Sequence, residues 1–264
     1  MEHKFLFLAG PCVIESEENA LYLAEQIKSI TDKFSLDDYF KASWDKANRT
    51  KATNYRGPGL EQGLTILKKV KERFGVKIVT DIHEPWQAAP VAEVADMLQI
   101  PAFLCRQTDL LEAAAKTGKI INVKKAQFMS PEEMTSVVNK LEFFGNRHIL
   151  LCERGTCFGY NNLVADMTGL VRLSKLGYPV IFDATHSVQI NGGGFAYGNS
   201  GKREFVPYLA KAAMATGVIN GLFMEIHNDP DRALCDGSCM LELNQLEQLL
   251  IQLTEIWEIN QKYR

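Results

Sequence analysis

Residues 60–83, LEQGLTILKKVKERFGVKIVTDIH, hold one complete unit of the fold. Leu60, Leu64, Leu67 and Phe74 recur at helical spacing, and Lys68, Lys69 and Lys71 sit on a solvated helix face. Gly75 stops the helix. The run that follows, Lys77 to His83, is short, apolar and β-branched, and it ends on Asp81 and His83. It reads as a buried strand with a polar C-terminal end.

The same unit recurs along the chain. Strands are predicted over 4–12, 39–44, 77–83, 97–102, 120–125, 148–153, 179–186 and 221–227, with helical patterns over 17–34, 60–74, 131–144, 204–216 and 244–262. Ser130 as N-cap, Pro131 at N1 and Glu133 at N3 mark one helix start, and Gly118 and Gly217 mark helix stops. Strands separated by helices need crossover connections and therefore pair in parallel. An open doubly wound sheet competes with a closed one. Eight strands, even spacing and no GxGxxG turn after the first strand favour an α/β fold of the (β/α)8 TIM-barrel type. No linker or repeat interrupts the 264 residues, so residues 1–264 are expected to form a single domain.

Composition excludes several classes. Apolar residues are 46% and charged residues 23% of the chain, with a net charge of −3. That balance offers no basic field for nucleic acid and no polybasic membrane patch. The apolar run after Lys4 is too short for a signal peptide, and no stretch reaches the roughly 20 apolar residues that span a bilayer. Six scattered cysteines without a CxxC suit reduced thiols, so the protein is expected to be cytoplasmic.

Active sites of such barrels lie where the strands end, so the residue types there matter most. In order they are Cys12; Lys41 and Ser43; Asp81 and His83; Gln99; Lys124 and Lys125; Glu153 and Arg154; Asp183 and His186; Glu225 and His227. Lys41, Lys46, Arg49, Lys124 and Arg154 would bring several cations to one mouth, which implies a multiply anionic small substrate. Cys12, His186, Glu225 and Asp236 offer sulfur, imidazole and carboxylate, a set suited to a transition-series divalent ion. They lie on different loops, so spacing does not establish the site, and Cys12 as a nucleophile stays open. Cys105, Cys152, Cys157, Cys235 and Cys239 read as buried or incidental thiols. The glycine-bearing stretch 190–201 and the segment 235–240 follow the last two strands and match no Walker motif. They read either as plain connections or as lids over the mouth.

Several motifs resemble one known family. They are AGPCVIE at 9–15, FKASWDKANR at 40–49, YRGPGL at 55–60, TDIHE at 80–84 and QIPAFLCRQTDL at 99–110. NVKK at 122–125, ERG at 153–155, FGYNNL at 158–163 and FDATHSVQ at 182–189 complete the set. Together they are similar to the 3-deoxy-D-manno-octulosonate 8-phosphate synthases, over essentially the whole chain. The resemblance implies a homotetrameric barrel that condenses phosphoenolpyruvate with D-arabinose 5-phosphate and releases inorganic phosphate, for the inner core of lipopolysaccharide.

The resemblance also implies roles. The family has metal-dependent and metal-independent branches, and the cysteine at Cys12 marks the first, with His186, Glu225 and Asp236 as co-ligands of zinc, iron, manganese or cobalt. Phosphoenolpyruvate contacts fall on Lys41, Ser43, Lys46, Gln99, Lys124 and Arg154. Sugar phosphate contacts fall on Lys46, Asn48, Arg49 and Thr50, with Gln189 nearby and Arg106 reaching in from a neighbouring subunit. Lys46, Asp81, His83 and Asp236 are the candidate catalytic residues. Thr50 stands where serine is usual and keeps the hydroxyl, and Ala126 stands where glycine or proline is usual. The sister synthases that use erythrose 4-phosphate usually carry K-P-R-T, so Asn48 favours the five-carbon sugar. A barrel aldolase with a Schiff base on Lys124 or Lys125, and a sugar phosphate-binding protein without activity, are the competing readings.

Overall fold

A computed structural model describes residues 4–190 and 201–263. Eight parallel strands form the barrel: β1 (Phe5–Gly10), β2 (Leu36–Lys41), β3 (Lys77–Asp81), β4 (Met97–Ile100), β5 (Ile120–Lys124), β6 (Ile149–Glu153), β7 (Val180–Asp183) and β8 (Gly221–His227). Each pairs with the next, and β1 also pairs with β8, Leu6 opposite Gly221 through Gly10 opposite Glu225. That last pairing closes the sheet and leaves no open edge. The crossovers carry α1 (Glu17–Thr31), α2 (Leu60–Phe74), α3 (Ala88–Val94), α4 (Thr108–Lys116), α5 (Met134–Phe143), α6 (Met167–Ser174) and α7 (Val206–Ala215), and α8 (Leu246–Lys262) follows β8. The expected (β/α)8 barrel is the fold.

Side chains alternate across a strand, so each strand feeds two cores. One core lies between sheet and helices and includes Phe7, Ile78, Leu98, Val123, Leu151 and Leu222. The other fills the barrel with Leu8, Tyr39, Val79, Met97, Leu150, Cys152, Ile181 and Phe223. Stepping two residues onward from these plugs reaches Lys41, Asp81, Gln99, Arg154, Asp183 and Glu225. The apolar plug is therefore the floor beneath a polar mouth.

Several boundaries differ from the sequence reading. The second strand starts earlier, at Leu36, because its two acids are partnered: Asp38 accepts from Thr31 Oγ1 at 3.0 Å and Asp37 pairs with Lys77. Helix α5 begins at Met134, three residues late. The capping pair is present all the same, since Ser130 N–H donates to Glu133 Oε2 at 2.7 Å, but residues 131–133 form a turn. The sequence did not disclose the hairpin of Thr156–Cys157 with Leu163–Val164, or the short strand Leu241–Glu242 that joins β8 in parallel. Gly192, Gly193, Gly194, Phe195, Tyr197 and Gly198, from the first expected lid, lie outside the described residues. The second is packed into the rim, with Cys235, Cys239 and Met240 buried.

Gly10 shows how tightly the first two strands approach. A Cβ placed there would lie 2.1 Å from the Lys41 carbonyl oxygen. Backbone cannot yield as a flexible side chain can, so Gly10→Ala is expected to cost about 1–3 kcal/mol of stability. Denaturant unfolding measures this, and an unchanged midpoint would contradict the packing described.

Candidate active site

The polar strand ends converge on one cavity of about 800 Å³. Its lining includes Lys46, Asn48, Arg49 and Thr50 from the loop after β2, Asp81 at the end of β3 with His83 just beyond it, and Gln99 from β4. Lys124, Arg154, His186, Gln189, Glu225 and Asp236 complete the predicted residues on its wall. Cys12, Lys41 and Ser43 lie beneath this surface, each 1% exposed or less. Arg106 is exposed and lies outside the lining of its own chain's cavity.

The floor is a network of buried charge. Lys41 Nζ donates to Glu225 Oε1 at 2.6 Å and to the Cys12 carbonyl at 3.0 Å, and Lys46 Nζ stands 3.7 Å from the same Glu225 oxygen. Burial opposes ionisation of Glu225, yet Lys41, His186 and Lys46 hold its carboxyl well below the usual carboxylate range. Lys124 Nζ donates to Asp183 Oδ2, and it stands 3.5 Å from the centre of the Phe223 ring. Burial works against the Asp183 charge, and His186 and Lys124 overcome it, so Asp183 too is an anion. The Asp81 carboxyl is likewise lowered against burial, chiefly by His83, whose Nε2 is 3.0 Å from Asp81 Oδ2. Arg154 Nη2 donates to the His186 carbonyl at 3.1 Å and to Gln189 Oε1 at 2.8 Å. Buried N–H groups on both Arg154 and Arg49, their Nε atoms, have no partner among the described residues, although such groups are normally paired. Arginine forks with spare donors at a cavity wall are built to meet an anion.

The donor chemistry fits a divalent ion. His186 Nδ1 lies 2.7 Å from Asp183 Oδ2, which holds a proton on Nδ1, so that the neutral ring would offer an ion the lone pair of Nε2. That lone pair faces Glu225 Oε2 at 3.6 Å and Asp236 Oδ2 at 3.8 Å. Glu225 Oε2 is buried and accepts no hydrogen bond from the described residues. Three electron-pair donors aimed at one another are the arrangement a cation resolves, and Asp183 supplies the outer carboxylate that orients a ligating histidine. The four expected ligands do not form one mutual group. His186, Glu225 and Asp236 have ligand atoms within 4.8 Å of one another, as do Cys12, Cys235 and Asp236, so Asp236 joins two sets. Cys12 Sγ donates to Asp236 Oδ2 at 3.5 Å, and Gln189 Nε2 donates to Asp236 Oδ1 at 3.3 Å.

Two residues of this site carried a readable signal that the sequence reading did not use. Asp183 stands three residues before His186, and Cys235 stands next to Asp236. Lys125, the alternative Schiff-base lysine, is turned away from the cavity. Its Nζ donates to the carbonyls of Ala126 at 3.1 Å and Met129 at 3.0 Å, and pairs with Glu153 at 3.5 Å. Burial pushes the Glu153 carboxyl up, against the pull of Lys125. Lys125→Met is thus expected to cost about 3 kcal/mol or more, since it strands a buried partner. Denaturant unfolding measures that loss. A stable but inactive Lys125→Met protein would show that this lysine takes part in the chemistry instead.

Fold and site together define a barrel enzyme whose mouth gathers cations around a small anionic substrate, beside a sulfur, imidazole and carboxylate donor cluster. The family described as DAHP synthetase I matches residues 1–262, and the chain belongs to that family. A 2-dehydro-3-deoxyphosphooctonate aldolase of Cyanothece sp. is 59% identical over 254 residues, covering 96% of this chain and 92% of the relative. Proteins of the same name from Rickettsia bellii and Geotalea uraniireducens are 54% and 53% identical, over 98% and 97% of this chain and 93% of each relative. These relatives bear out the resemblance carried by the motifs. Among the described residues, no helix is long and apolar enough to cross a membrane.

Proposed function

We infer that this chain condenses phosphoenolpyruvate with D-arabinose 5-phosphate and water, giving 3-deoxy-D-manno-octulosonate 8-phosphate and inorganic phosphate for the lipopolysaccharide inner core. The observation that carries the reading is the convergence of Lys46, Arg49, Lys124 and Arg154 on one cavity. The name shared by the relatives supports the choice of substrates.

In this reading Lys124 and Arg154 grip the enol phosphate, and Lys46 faces its carboxylate with Lys41 acting from beneath. Arg49, Asn48 and Thr50 take the sugar phosphate, while Ser43, Gln99 and Gln189 hold the remaining polar groups. Holding the two anions together lets C3 of phosphoenolpyruvate meet the aldehyde carbon, and such positioning supplies up to about 7–11 kcal/mol of barrier reduction. Water adds to C2, and the resulting tetrahedral centre expels phosphate. The Asp81–His83 pair and Asp236, which line the cavity, would carry the protons. Cys12, His186, Glu225 and Asp236 would hold a divalent transition ion, which supplies Lewis acidity toward an aldehyde or water oxygen when bound.

Arg106, exposed beside Phe103 on the rim, fits a homotetramer in which it serves a neighbour's cavity. The free state of all six cysteines fits a cytoplasmic enzyme. A phosphate-release assay tests the reading: phosphoenolpyruvate with arabinose 5-phosphate is expected to turn over, and erythrose 4-phosphate to be a much poorer partner. A preference for erythrose 4-phosphate would move the chain to the sister activity.

A further inference from the structure

We propose that Cys235 supplies a second sulfur to the ion site, so that a divalent ion here is held by two thiolates rather than by Cys12 alone. The proposal rests on the ion reading above, whose four ligands do not include Cys235.

Cys12, Cys235 and Asp236 present two sulfurs and a carboxylate oxygen that all lie within 4.8 Å of one another. Zinc–sulfur bonds are about 2.3 Å, so an ion reaches both sulfurs after shifts of under about 1 Å. Both thiols are sealed from solvent, Cys12 at 1% and Cys235 at 3% exposure. Consecutive residues usually send their side chains apart, yet Cys235 and Asp236 both reach Cys12. The backbone explains it: Asp236 sits at φ +49°, in the left-handed region that few residues other than glycine adopt. That conformation is held from both sides. Cys239 N–H donates to the Asp236 carbonyl at 2.8 Å, and Gly237 packs so closely that a Cβ there would lie 2.0 Å from the Pro230 carbonyl. Backbone strain fixed in this way marks a place where geometry is being imposed.

The charge around Cys235 agrees. Arg49 Nη1 donates to Cys235 Sγ, and Nη2 reaches the Leu234 carbonyl at 3.3 Å. A fixed cation thus lies directly against this sulfur. Two sulfurs also sharpen the choice of ion. The site takes zinc, iron(II) or cobalt(II) in preference to manganese or magnesium.

The test uses the full chain, reduced, stripped with chelator and loaded with one equivalent of cobalt(II). Sulfur-to-cobalt charge transfer in the near ultraviolet scales with the number of thiolates bound. Cys235→Ser is expected to retain cobalt while the band falls to about half, and Cys12→Ser to do the same. X-ray absorption on the cobalt-loaded wild-type protein counts sulfurs without any substitution, and two at about 2.3 Å are expected. One sulfur in the wild type, or an unchanged band in Cys235→Ser, overturns the proposal and leaves the ion reading standing. Failure of the wild type to take up cobalt overturns both.

Discussion

Lys124→Met is expected to lower kcat/KM by about 10²–10³-fold, the usual cost of removing one preorganised charge from a reacting centre. Methionine keeps the length of the side chain and most of its contact with Phe223, so the charge is what is lost. In the folded protein that charge is committed to Asp183 and lies 3.4 Å from His186 Nδ1. Asp183 does not become an orphan in the variant. It still accepts from His186 Nδ1 at 2.7 Å, from Thr185 Oγ1 at 3.0 Å and from His186 N–H at 2.8 Å. The stability cost should therefore stay near 1–3 kcal/mol, and the protein should remain folded. Lys124→Arg separates this role from imine chemistry. An electrostatic grip on phosphate survives partly in arginine, whereas a Schiff base needs a primary amine and would be lost altogether. Steady-state kinetics on both variants, with thermal unfolding as the control, decide the matter. A Lys124→Met enzyme within about threefold of wild type would remove Lys124 from the chemistry.

The barrel was legible because its signal is periodic and local. Short apolar runs closed by polar residues recur eight times, and the step of two from plug to mouth follows from the pleat alone. What stayed hidden depends on direction or on partners distant in sequence. Lys124 and Lys125 are adjacent, so the pleat lets only one face the mouth, and which one is settled by Val123, two steps before Lys125, which packs in the outer core. Asp37 and Asp38 resemble a loop until Thr31 and Lys77 are seen beside them. In the sequence Asp183 is only a strand end without a task, because its partners Lys124 and His186 come from another strand and from the turn that follows it. Cys235 shows in the sequence only that it adjoins Asp236. What turns both side chains toward Cys12 is a left-handed residue at Asp236, which no spacing rule discloses.

Exhaustive chelation is expected to remove activity by about 10²–10³-fold, since a Lewis acid at such a site contributes several kcal/mol to the barrier. Zinc, iron(II), cobalt(II) or manganese added back should restore it in the wild type and should fail to restore it in Cys12→Ala. The stripped protein should also be measurably less stable. An ion that binds only the folded chain adds about 2.7 kcal/mol at a free concentration a hundredfold above its dissociation constant. In its absence the His186 lone pair and the Glu225 and Asp236 carboxylates face one another across 3.6 and 3.8 Å. The two effects separate a chemical role from a structural one. If the ion only braces the loops, readdition raises the melting temperature of the stripped enzyme without changing turnover per folded molecule. If it also serves the reaction, turnover returns in proportion to ion bound, with different rates for different ions at equal occupancy. Full activity in protein shown by elemental analysis to hold no transition metal would sink the ion reading. Lys41, Lys46, Lys124 and Arg154 would then have to hold and polarise both substrates unaided.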